Sequence, residues 1–76
     1  MTYDYSRLSG KIVEIFGTRG SFASAMEMSE RSLSLKLNNQ VSWRQPEMMK
    51  ACLLLKIDPG DIKDYFFTIE VQETWT

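Results

Sequence analysis

Thr18–Asn38, TRGSFASAMEMSERSLSLKLN, is the stretch that decides the fold. Thr18 and Ser29 are both residue types whose side-chain oxygens accept from the free amides of a helix start. They therefore bracket two short helices, one from Arg19 to about Glu27 and one from Ser29 to about Asn38. The link between them has room for only a few residues, with Met28 as its apolar member. That is the spacing of two helices crossing closely, with Ala23 as the small residue at the crossing. Phe22, Met26, Met28 and Leu33 are expected to fill the wedge between them.

An α-helix turns about 100° per residue, so Leu33 at the centre of the inward face places Leu37 about 40° away. Arg31, Leu35 and Asn38 then fall roughly opposite, flanked by Ser32 and Ser34. These side chains suit base edges in a major groove: arginine for guanine, asparagine for adenine, an aliphatic group for a thymine methyl. Glu30 can accept from a cytosine amino group or favour the helix dipole. If the helix is rotated, Leu35 is instead a core or dimer contact.

The same signals extend outward. Upstream, Leu8, Ile12, Ile15 and Phe16 repeat at helical spacing over Tyr5–Phe16, with Asp4 or Ser6 as cap and Gly17 as a left-handed stop. Gly10 inside that helix suggests a close approach by a neighbour. Downstream, Asn39 suits a left-handed conformation and Gln40–Arg44 reads as a loop, with Trp43 its anchor in the core. Pro46 and Glu47 open a fourth helix over Gln45–Lys56 whose inward stripe is Met48, Ala51, Cys52 and Leu55. Asp58 and Pro59 start a fifth, to about Phe66, burying Ile62, Tyr65 and Phe66. Phe67, Ile69 and Val71 alternate with polar residues as an extended tail would. The expectation is an all-α, five-helix single domain over residues 1–76 with a short extended C-terminal tail.

Composition narrows the function. The longest apolar run, Ala51–Leu55, is too short to cross a bilayer, and the N-terminal residues do not read as a secretion signal. Cys52 is the only thiol and there is no histidine. Neither an intramolecular disulfide nor a Cys/His zinc site is expected, and a reduced cytoplasm fits. With no histidine base and no glycine-rich phosphate loop, neither an enzyme nor a cofactor is expected. Cys52, on an apolar stripe, reads as a buried inert thiol. The net charge of −1 divides into +3 over residues 1–56 and −4 over residues 57–76, so a basic face can coexist with an acidic tail.

Beyond these patterns, the residues at Tyr3–Ser6 (YDYS), Phe16–Thr18 (FGT), Phe22–Ala23, Met28–Arg31 (MSER), Leu33–Asn39 (LSLKLNN), Trp43 and Tyr65–Phe67 (YFF) resemble small phage-like regulators of Gram-positive bacteria. Those are helix-turn-helix proteins of the Cro/cI type, and the resemblance runs from Tyr3 to about Val71. It implies a compact lambda-repressor-like DNA-binding domain that represses or otherwise regulates transcription from a double-stranded DNA operator with inverted half-sites. The implied DNA-binding residues are Arg19 on phosphate; Glu30, Arg31, Ser32, Ser34 and Leu35 in the groove; and Asn38 and Asn39 beyond it. Lys36 and Arg44 are added as phosphate contacts, and Phe67, Ile69, Val71 and Trp75 as a homodimer surface. Two residues depart from the family pattern: Glu27 stands at a usual glycine and Lys36 at a usual aliphatic position. They favour an alternative, a protein-interaction module or anti-repressor that keeps the fold without strong DNA binding.

Overall fold

A computed structural model describes residues 2–69. It is all-helical, with five α-helices: α1 (Ser6–Phe16), α2 (Arg19–Ala25), α3 (Glu30–Leu37), α4 (Gln45–Leu55) and α5 (Ile62–Phe66). A 3₁₀ turn over Pro59–Asp61 leads into α5, so the fifth element begins more tightly wound than an α-helix. Among the described residues none forms a strand; Tyr3 and Ile69 make one isolated antiparallel bridge. No described helix is long and apolar enough to cross a membrane.

The caps read from the sequence for α2 and α3 form, whereas α1 is preceded by Tyr5 with no side-chain cap. Thr18 Oγ1 accepts from the Ser21 amide at 3.1 Å, and Ser29 Oγ accepts from the Ser32 amide at 3.1 Å. At the start of α1, the Asp4 carboxylate takes the Ser6 amide at 2.8 Å, while Tyr5 stays outside the helix. The Ser6 hydroxyl donates to the same carboxylate, and it and the amide hold the Asp4 carboxyl below its ordinary pKa. Gly17 ends α1 at φ 82°, and Asn39 takes φ 65° after α3. The second helix stops at Ala25, earlier than the expected Glu27, because Glu27 itself is left-handed at φ 62°. The usual glycine of this turn would take that conformation at lower steric cost. In its place Glu27 reaches Lys50 on α4 at 2.6 Å.

The core forms where α1 meets α2, α4 and α5. Leu8 and Ile12 of α1, Phe22 and Ala23 of α2, Leu33 and Leu37 of α3, and Ala51, Cys52 and Leu55 of α4 are all buried. Phe16 stands edge-on to Phe22 at 5.3 Å between ring centroids, and Trp43 edge-on to Phe66 at 5.1 Å. Burial raises the pKa of the Cys52 thiol, which keeps it protonated and unreactive. Met48, Ile62 and Tyr65 are only partly buried, at the edge of this core. Two expectations on α1 are corrected. Ile15 is exposed, on the flank of the stripe that Leu8, Ile12 and Phe16 turn towards the core, and no atom of a neighbouring element lies within 4 Å of where a Gly10 side chain would stand.

Candidate functional site

α2, a turn of four residues and α3 form a shelf whose inner side is apolar. Phe22, Ala23 and Met26 face Leu33 and Leu37 within one buried cluster. The helical steps then fix the outer side of α3, where Arg31 and Asn38 are exposed and Ser32, Ser34 and Leu35 are half-buried. The chain after α3 folds back, so that the Gln40 and Val41 amides both donate to the Leu35 carbonyl, at 2.8 and 3.2 Å. Arg19 is exposed at the start of α2 and Arg44 is exposed just before α4.

Two of the expected contact residues, Lys36 and Asn39, are engaged within the fold. Lys36 is only 6% exposed. Its ammonium lies 3.0 Å from Glu47 Oε1, donates to the Ser42 carbonyl at 3.2 Å, and sits 5.8 Å from the centre of the Trp43 ring. The expectation that it reaches DNA phosphate is corrected, because the half-buried Glu47 carboxylate, the Ser42 carbonyl and the indole face hold the cation inside. Asn39 acts as a strand mimic: Oδ1 accepts from the Tyr3 amide at 2.8 Å and Nδ2 donates to the Tyr3 carbonyl at 2.9 Å. Glu30 stays exposed and lays its carboxylate over Gly20 on α2.

Glu47 is the pivot of the Lys36 arrangement. Partial burial raises the pKa of its carboxyl group. The hydrogen bond from the Arg44 amide, at 2.9 Å, and the Lys36 cation outweigh that effect, so the pKa lies below the ordinary glutamate value. The result ties the end of α3 to the start of α4 across the Asn38–Arg44 loop. Sequence reasoning had noted a lysine at an aliphatic position, and Glu47 as a helix-start acid, without pairing the two. It also missed a cluster of aromatic residues beyond α3, in which Tyr3 and Phe67 stand edge-on at 6.0 Å. Phe67 and Ile69, two of the four residues of the expected dimer surface, are exposed; Val71 and Trp75 lie outside the described residues.

Fold and shelf together place this chain among small all-helical proteins, and it belongs to the family described as a protein of unknown function (DUF739), whose model matches residues 1–69. It is similar to the modulator of repression of the temperate bacteriophage TP901-1 from Lactococcus lactis, known from a solution structure. The two share 51% identity and a TM-score of 0.79, over 95% of this chain and 97% of that one. No curated protein matches the chain.

Proposed function

We propose that this chain is a phage-type regulator that modulates repression by binding a repressor protein through the outward face of α3, without reading an operator itself. The observation that carries this reading is how the polar and cationic groups around α3 are used. Lys36 is paired with Glu47, Lys50 with Glu27, and Asn39 with the Tyr3 backbone. Arg19, Arg31 and Arg44 are the exposed cations that remain near the shelf, with Glu30 among them. Three arginines with the Glu30 carboxylate beside them give this face only a modest positive charge for drawing in phosphates. The half-buried Leu35 beside Arg31 instead resembles the centre of a protein interface, where an apolar anchor is ringed by polar groups. The similarity to a modulator of repression supports regulation of the same kind.

Direct DNA recognition is the second reading, and the exposed Arg31 on a capped helix favours it, with Arg19 at the start of α2 as a phosphate contact. Calorimetric titration with the DNA-binding domain of a repressor from the phage or prophage that carries this chain tests the first reading. Saturable binding is expected, weakened at least tenfold in the Arg31→Ala/Leu35→Ala variant, with its melting curve unchanged. Equal binding by that variant removes α3 from the interface.

A further inference from the structure

Between Thr18 and Glu47 the acidic residues are Glu27, Glu30 and Glu47. Glu27 is paired with Lys50 at 2.6 Å and Glu47 with Lys36 at 3.0 Å. Glu30 differs: among the described residues no cation comes within ion-pair distance of it. Arg19, Arg31 and Arg44 are likewise exposed and without an ion pair among the described residues. The α3 side of the shelf therefore carries an unneutralised carboxylate in the company of three unneutralised guanidinium groups.

That carboxylate stands where it acts on both helices. Glu30 is the first residue of α3 and directly precedes Arg31, while its side chain leans across to Gly20, the chain neighbour of Arg19 on α2. Its carboxyl carbon lies 3.2 Å from the point where a Cβ on residue 20 would begin. Glycine in a helix costs about 1 kcal/mol against alanine, and here its bare backbone leaves the carboxylate that place. A phosphate drawn to Arg19 or Arg31 comes within about one Debye length of this negative charge, about 10 Å at 0.1 M salt. A duplex backbone meets a carboxylate with acceptors only, whereas a protein surface can meet it with amide or cationic donors.

We infer that Glu30 is a specificity-determining residue: it discriminates against the phosphate backbone of nucleic acid and keeps the α3 face for a protein that sets a donor opposite it. The inference rests on the repressor-binding reading of α3 and adds to it the residue that turns away the competing ligand.

The test is the affinity of the full chain for a fluorescently labelled duplex of arbitrary sequence, read by anisotropy at about 50 mM salt. Glu30→Gln keeps the size of the side chain and removes its charge, and is expected to bind about fivefold more tightly than the parent. Glu30→Lys should gain at least about tenfold, and both gains should shrink at about 200 mM salt. Asp61→Asn makes the same change in net charge on the exposed 3₁₀ turn before α5, and should gain less than about twofold. Thermal melts followed by circular dichroism establish that each variant is folded. An unchanged affinity in Glu30→Gln, or an equal gain in Asp61→Asn, would overturn the role of Glu30 and leave the repressor-binding reading standing. Tight, steeply salt-dependent duplex binding by the parent chain would instead overturn that reading, and the inference with it.

Discussion

Phe22→Ala is expected to remove a large part of the stability of this fold. Phe22 is fully buried, packs edge-on against Phe16, and shares its cluster with Leu33 across the turn. Its removal opens a cavity where α1, α2 and α3 meet. Large aromatic-to-alanine changes in cores cost about 3–5 kcal/mol. A domain of this length has roughly 5–10 kcal/mol in total, so the loss is a large share of it. Urea denaturation followed by circular dichroism should show the midpoint falling in proportion. The contrasting change is Leu53→Ala on α4, where the side chain is 80% exposed and the midpoint should hardly move. A loss below about 1 kcal/mol at Phe22 would contradict the packing described for the shelf.

Lys36→Ala is expected to have the next largest effect. The ammonium sits at 3.0 Å from Glu47 and is almost wholly removed from solvent. Truncation leaves Glu47 with only the Arg44 amide, and the loop over Trp43 loses its tie to α3. Breaking a buried pair on one side costs about 3–5 kcal/mol, but Glu47 keeps some contact with water, so about 2–3 kcal/mol is expected. Replacing both partners by apolar residues, Lys36→Met with Glu47→Leu, should recover most of that loss, because no lone charge then remains buried. A double-mutant cycle from denaturation midpoints measures the coupling. If the double variant is as unstable as the two single changes added together, the pair does not act as described.

Helices and caps were legible in the sequence because they are local: Thr18, Ser29, Gly17 and Asp58 act within a few residues of themselves. The inward stripe of α4 and the position of Leu33 followed from the same short-range periodicity. What escaped was long-range. Nothing in the spacing of Lys36 and Glu47 announces that a loop will fold them together, and nothing near Asn39 indicates that it will grip Tyr3, 36 residues away. The outward face of α3 was therefore readable as a list of residues, but not how many of its neighbours would already be engaged. That difference turns the functional reading from operator to protein partner. Ile15 misled for a different reason: periodicity puts it near the inward stripe, but on the flank where Phe16 meets the core and Ile15 does not.

The central claim is that the outward face of α3 binds a repressor protein and not an operator, and its most direct test is the affinity for duplex DNA at about 50 and about 200 mM salt. Weak binding with a shallow salt dependence, alongside saturable binding to the repressor domain, is the expected result. Sequence-selective DNA binding that falls about a thousandfold or more between those two salt concentrations would contradict it.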